Sequence, residues 1–424
     1  MTTVTDRTPA RQSAPPERRR LRRTVGFALP PLTAYLLDHV LYGTAAARTG
    51  YHYFTVAAHW RWDSAFYEQI ADGGYQLFHC NPQTTPPDQR WCGNAGWFPL
   101  YPWLIRAVQA PTGLSVGRAA VLVAELGTVA AVLLFWWLLT RPAPADPGPA
   151  GGALGPPGQR LRNVALLALV TVFPVGVYFH AIFPMSVAVT ATLACLALAT
   201  RRRWLLAGLA GAVAAAAYPI GIVAGLAAVG VAAVLAGRER AGWRRFLGQA
   251  GVVGALSLTG LLLVFVVMQV TVGHWNAFFL SQDKYGGQRY NPVAAFLALV
   301  AHGQGSPMVQ QATPGLAQRL DVTVRTEMWA SLGLVLLCCA AAVVAAVRHR
   351  FVPLDAGLVV FAVVTFLVPL FAGTQISQYR SHALLLPALL LLRHLPGWLL
   401  ALLTVPTAVL AYKIGTLFYL WLLF

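Results

Sequence analysis

The sequence predicts an all-α polytopic membrane protein of about eleven transmembrane helices, with two long outer loops. Composition sets the class: of 424 residues 57% are hydrophobic and 11% charged, at a mean hydropathy of +0.61, which no wholly water-facing surface accommodates. Apolar runs of roughly 20 residues, enough to cross a bilayer core as helices, recur along the chain. Arginines gather at alternate ends of these runs, placing about twenty of the 31 Lys and Arg on one side and marking that side as cytoplasmic. The formal charge of +17 is therefore a topology signal, and no nucleic-acid partner is expected.

Residues 1–23 carry Arg7, Arg11, Arg18, Arg19, Arg20, Arg22 and Arg23 among Pro and Ser and read as a disordered cytoplasmic tail, with residues 24–424 as a single transmembrane domain. The first span is Thr24–Tyr42. It lacks a small-residue A-x-A-like exit, so it reads as a helix rather than a cleaved signal peptide. Outer loop one, about 43–118, is rich in Trp, Tyr, Pro and His. The second span, Ala119–Leu139, leads to a Pro/Gly-rich inner connection from Arg141 to Arg162. Spans three and four form a hairpin, Val164–Phe179 and Pro184–Ala199, closed by Arg201, Arg202 and Arg203. The apolar stretch Trp204–Gly237 is too long for one span, and Tyr218-Pro219 divides it into two with the turn outside. Span seven, Phe246–Val272, precedes outer loop two, about 273–326. Span eight ends at Arg348 and Arg350, span nine covers Phe351–Phe371, span ten returns to Arg393, and span eleven starts at Trp398.

Cys195, Cys338 and Cys339 fall in spans and read as small apolar core residues. Cys80 and Cys92 stand twelve positions apart in outer loop one, where an oxidising compartment permits a disulfide and zinc binding is the competing reading. No CxxC or HExxH spacing accompanies them and the ten His are scattered, so nothing in the sequence demands a metal.

Chemistry concentrates in the outer loops. The stretch from His59 to Tyr75 reads as a short helix, with Phe66, Ile70 and Ala71 at helical spacing and Glu68 and Asp72 on other faces. Trp60, Trp62 and Tyr67 suit headgroup depth, so the segment is expected to lie along the membrane surface. Asp63 opens this helix. Its carboxylate suits an N-cap, and also a general base at the water boundary beside Arg61 and a ring of aromatics.

The block Arg61-Trp62-Asp63-Ser64-Ala65-Phe66-Tyr67 continues to Tyr75. It is followed by Trp97-Phe98-Pro99-Leu100-Tyr101-Pro102-Trp103-Leu104-Ile105-Arg106, by Trp275 to Gln282, and by Ser377-Gln378-Tyr379-Arg380. In order and topology these blocks resemble the PIG-V-like mannosyltransferases, bacterial relatives of the enzyme that adds the second mannose to GPI anchors. The resemblance implies a GT-C-type glycosyltransferase fold and a polyprenyl-phosphate sugar, most plausibly mannose, as donor. It also implies an inverting displacement in which catalytic Asp63 takes the acceptor proton. Arg380 is the first choice for binding the donor phosphate and Arg61 the second, with a snorkelling anchor as the alternative for Arg380. Trp60, Trp62, Tyr67, Phe98, Tyr101, His274, Gln282 and Tyr379 are expected to line the substrate cavity. Two stretches depart from the family pattern: span four opens Phe183-Pro184-Met185-Ser186, and the turn after span five reads Tyr218-Pro219-Ile220-Gly221.

The chain holds neither a DxD pair nor a Gly-rich P-loop, which suits a lipid-linked donor that is itself a substrate, with no cofactor. Expected partners are membrane lipids, the polyprenyl-phosphate sugar and an acceptor that is a glycolipid, polysaccharide or protein, at the outer face of a plasma membrane. Asp38 and Glu125 are intramembrane acids, either functional or paired with a nearby Arg or His. Lys284 and Arg289 are further candidates for a substrate groove. A transporter or flippase of lipid-linked substrates is the alternative class, but polar residues sit in the loops rather than at a midplane between repeated halves. A third reading is an inactive homologue serving in assembly.

Overall fold

The computed structural model describes residues 16–81, 83, 88–141, 157–240, 242–283, 293–294, 296–297, 314–372 and 378–423. Residues 1–15, the stretch 142–156 of the inner connection, Lys284, Arg289 and Ser377 lie outside them. The architecture is all-α. Among the described residues six helices are long and apolar enough to cross a membrane: Val116–Thr140, Pro219–Arg238, Trp243–Val272, Asp321–Val347, Pro353–Phe371 and Gly397–Tyr419. Shorter helices complete the bundle.

In chain order, α1 (Pro16–Arg48) runs past the expected end at Tyr42, so the first loop starts later. The loop contributes α2 (Val56–His59), α3 (Ser64–Gly73), a hairpin of β1 (Leu77–Asn81) and β2 (Asp88–Gly93), and α4 (Leu100–Thr112). Then come α5 (Val116–Thr140), α6 (Pro157–Thr171), the four-residue α7 (Val177–His180) and α8 (Met185–Thr200). The expected span Val164–Phe179 is thus shifted and broken, because the chain turns at residues 172–176 before α7. Next are α9 (Trp204–Ala217), α10 (Val223–Arg238), α11 (Trp243–Val272) and α12 (Ala277–Asp283). The last helices are α13 (Pro314–Val347), α14 (Pro353–Ala372), α15 (Gln378–His382) and α16 (Gly397–Tyr419). Helix α13 starts at Pro314, within the expected outer loop two, and its apolar span covers Asp321–Val347.

The break at Tyr218-Pro219 falls where the sequence placed it. Helix α9 stops at Ala217, and Tyr218 takes φ −154° and ψ 145°, the extended backbone that a residue preceding proline favours. Gly221 lets the turn close on α9: a Cβ there would meet the Ala214 carbonyl at 1.8 Å. The tenth span was expected as an ordinary helix. Residues Ala383–His394 instead form a 3-10 helix, buried from Ala383 to Leu392, with Pro387 inside. Proline cannot donate the i→i−4 bond and clashes with that carbonyl, so the tighter winding removes an α-helical conflict.

Small residues draw the helices together where lipid supplies no hydrophobic drive. Helix α9 packs on both α8 and α11, and α10 on α14. At Gly260 of α11 a Cβ would lie 2.0 Å from the Ala212 carbonyl, so only glycine permits that approach.

The hairpin of loop one has no sequence expectation behind it. Its strands pair antiparallel, Phe78 opposite Cys92 and His79 opposite Trp91, and Cys80–Cys92 form a disulfide at a Cα–Cα distance of 4.9 Å. Helix α3 also differs from expectation. Tyr67, Ile70 and Ala71 are buried in protein, against α4 and α5, rather than laid on lipid, and Phe66 stacks on Trp97 at 3.7 Å. An amphipathic period serves a protein groove as well as a bilayer surface, so the pattern alone did not separate the two.

Candidate active site

Arg61, Trp62 and Asp63 make a tight turn in which each side chain leaves in a different direction. The Ser64 N–H donates to the Arg61 carbonyl at 2.9 Å, and the Arg61 N–H donates to Ser64 Oγ at 2.9 Å. Trp62 sits at φ +45°, a left-handed conformation costly for a bulky residue and sustained by the packing around it. Its ring meets Trp421 edge-on at 5.3 Å.

Asp63 occupies the N-cap of α3 but its carboxylate makes no capping bond. It pairs instead with Arg380 on α15, 317 positions away, at the loop-rich end of the bundle. Both are partly open, their side chains 23% and 12% exposed. The Arg380 guanidinium lies 5.4 Å from the centre of the Phe183 ring. Tyr218 shares a side-chain hydrogen bond with Ser381 and lies within electrostatic reach of Asp63 and Arg380. Tyr67 also faces Asp63, and its ring packs edge-on to Tyr101 at 5.3 Å. The two stretches that depart from the family pattern, at Phe183 and Tyr218, thus both abut this ion pair. Tyr218 is the site residue that sequence reasoning missed; its position at the turn was noted, but no local pattern tied it to Arg380.

Arg61 does not belong to this opening, contrary to expectation. It is 0% exposed, and its guanidinium donates to the carbonyls of Ala57, Trp60, Phe418 and Tyr419 at 2.5–3.4 Å. Its Cζ stands over the Tyr51, Trp421, Phe418 and Tyr419 rings at 4.4–5.6 Å. Burial pushes its pKa down. A cation with no exposed surface, engaged with four carbonyls and four π faces, is closed off from a phosphate, and it clamps loop one onto the end of α16.

The remaining predicted residues divide. Trp60 donates to Glu68 at 2.9 Å, and burial raises the Glu68 pKa although that bond opposes it. Phe98 is buried in a satellite cluster with Val264, Met268 and Ala277, and Tyr101 is buried with its hydroxyl donating to the Ala120 carbonyl at 2.9 Å. Both fill protein rather than line an open cavity. Gln282 on α12 donates to the Gly96 carbonyl at 3.0 Å, joining the two loops, and the His274 ring lies 5.1 Å from Trp91 beside the hairpin. Neither is placed beside Asp63. Tyr379 adjoins Arg380 on α15, with its side chain outside the described residues.

Asp38 and Glu125 meet in a second cluster. His180 Nε2 lies 2.8 Å from Asp38 Oδ2, and its Nδ1 lies 3.0 Å from Glu125 Oε1. His39 Nε2 is 3.4 Å from Glu125 Oε2, which also accepts from the Tyr35 hydroxyl at 2.8 Å. The pairing with histidine foreseen for these acids is thus present. Nearby His59 is buried, which pushes its pKa down to about 4. The Ile182 N–H donates to the His59 carbonyl at 3.0 Å, and Ser64 Oγ reaches the Ile182 carbonyl at 3.4 Å, so the residues after His180 brace the turn that carries Asp63.

A carboxylate and a guanidinium at a partly open face, walled by Phe183, Tyr67 and Tyr218, can accept a proton and bind an anion side by side. No family model and no curated protein sequence matches the chain. In overall arrangement it is similar to the crystal structure of the oligosaccharyltransferase of Archaeoglobus fulgidus in complex with zinc and sulfate, at 15% identity and a TM-score of 0.48. The alignment covers 91% of this chain and 53% of that one, so this chain spans about half that protein's length.

Proposed function

We propose that this protein is a GT-C glycosyltransferase of the PIG-V-like kind. It moves a sugar, mannose by preference, from a polyprenyl-phosphate donor to an acceptor hydroxyl at the outer face of the plasma membrane. The observation that carries the reading is the pairing of Asp63 with Arg380, two residues from separate motif blocks, at a partly open site. In one displacement, Asp63 takes the acceptor proton as the oxygen attacks the anomeric carbon. The bond from that carbon to the phosphate oxygen breaks with inversion, and the polyprenyl phosphate leaves with its charge held by Arg380.

The ion pair itself has a place in this scheme. A carboxylate oxygen held by a guanidinium is not free to accept a proton from an acceptor hydroxyl. A donor phosphate competing for Arg380 frees the carboxylate only when the sugar is in place, so the base is released by donor binding. The test is transfer of radiolabelled mannose from polyprenyl-phosphate-mannose in membranes holding matched amounts of wild type or Asp63→Asn. Transfer in the wild type alone is expected; equal transfer by both would remove Asp63 from the reaction.

A further inference from the structure

The cluster around Glu125 draws on three separate elements: Asp38 and His39 from α1, Glu125 from α5 and His180 from α7. Each imidazole is anchored at its far nitrogen, His180 Nε2 by Asp38 at 2.8 Å and His39 Nδ1 by the Tyr53 hydroxyl at 2.8 Å. Their other nitrogens both turn to the Glu125 carboxylate, at 3.0 and 3.4 Å, and the inward-facing ligand atoms all lie within 4.8 Å of one another. A tetrahedral dication with ligand bonds of 2.0–2.1 Å holds its ligand atoms about 3.3 Å apart. Metal-bound histidines commonly present the outer partners seen here, a carboxylate or hydroxyl fixing the tautomer and the ring.

Charge balance points the same way. Two little-exposed carboxylates call for nearby positive charge, and a pair of imidazolium rings supplying it would stand with centres only 4.6 Å apart. One dication with two neutral imidazoles balances the cluster without that repulsion.

We propose that His39 Nε2, His180 Nδ1 and the Glu125 carboxylate ligate a structural first-row dication, zinc by preference, with the Tyr35 hydroxyl beside the fourth position. The ion ties α1, α5 and α7 and so braces, through Ile182, the turn that carries Asp63. It takes no part in the transfer step, and the proposal stands whether or not the glycosyltransferase reading does.

The competing arrangement is a bare ion-pair network, and pH separates the two. The groups facing the site are Tyr35, Asp38, His39, Tyr42, Tyr53, His59, Glu125 and His180. Metal affinity rises as the imidazoles lose protons, whereas an imidazolium staple weakens. The full chain, purified in detergent from zinc-supplemented cells, is assayed for metals by mass spectrometry. Thermal unfolding is then followed at pH 6, 7 and 8 with chelator and after zinc is restored. About one zinc per chain is expected, with a chelator-induced fall in Tm on the order of 5 °C that zinc reverses and that grows with pH. Glu125→Gln should lower zinc occupancy at least tenfold. Should that variant not fold, the wild-type chelation series decides alone. A wild type that carries no stoichiometric metal and whose Tm ignores added zinc at every pH would overturn the proposal in favour of the ion-pair network.

Discussion

Asp63 and Glu125 are both carboxylates near the loop-rich end of one helical bundle, yet they are furnished for different work. Asp63 stands on a loop turn with one guanidinium partner and an open side. Glu125 sits within a helix and is met by His180, His39 and Tyr35. The difference teaches that chemistry and architecture are told apart here by how many fixed partners a charged group has, more than by its type. Arginine repeats the lesson: Arg380 keeps an exposed edge beside Asp63, while Arg61, two residues from Asp63, spends its donors on four backbone carbonyls.

The contrast is broken most directly at Asp63. Asp63→Asn is expected to lower transfer by about 10³-fold with little change in Tm, the scale of a lost general base. Rates measured beside thermal unfolding check this, and a fall in rate that merely tracked a fall in stability would erase the distinction. Arg61→Ala should do the reverse: a loss on the order of 3 kcal/mol of stability, from buried carbonyls deprived of a donor and lost cation–π contacts. Arg61→Lys should rescue it poorly, since an ammonium lacks the planar fork. Denaturation followed by tryptophan fluorescence reads both.

Arg380→Ala is expected to cost about 10²-fold in transfer with a raised KM for the donor, while Arg380→Lys recovers part of it. Equal losses for acceptor and donor KM would argue against a phosphate role. The smallest effect concerns pH. The His59 imidazole stays neutral in the native protein down to about pH 4. In the unfolded chain it protonates near 6.5, so between those values the unfolded state binds more protons and stability falls as pH is lowered. A loss on the order of 2 kcal/mol across that window is expected, absent in His59→Gln; a variant with the same pH slope would assign the loss elsewhere.

What the sequence disclosed follows from the range of each signal. The α9–α10 break at Tyr218-Pro219 was legible because a pre-proline restriction acts between neighbours. The Cys80–Cys92 disulfide was legible as one of two readings, since twelve residues suit either a disulfide or a metal, and the hairpin then brings the two Cα atoms to 4.9 Å. The 3-10 winding around Pro387 was not legible, because proline also sits in ordinary kinked helices and the choice depends on how tightly neighbours enclose it. Arg61 was assigned to phosphate because it stands beside Asp63 in the chain. Its inward course is set by Phe418, Tyr419 and Trp421, which local pattern cannot bring to residue 61. That Asp38 and Glu125 would pair with an Arg or His was legible, but which histidines they meet was not, since the cluster's residues come from three helices and make no spacing motif.

The bond from Arg61 to the Phe418 carbonyl spans 357 positions of chain. At ribosomal speeds of about 5–20 residues per second, roughly 20–70 s pass between the emergence of the Asp63 turn and that of its clamp. For that interval a guanidinium that will end wholly buried has only the Ala57 and Trp60 carbonyls of its own loop, and the strained Trp62 has no Trp421 to lean on. The turn that carries Asp63 is thus set late in synthesis.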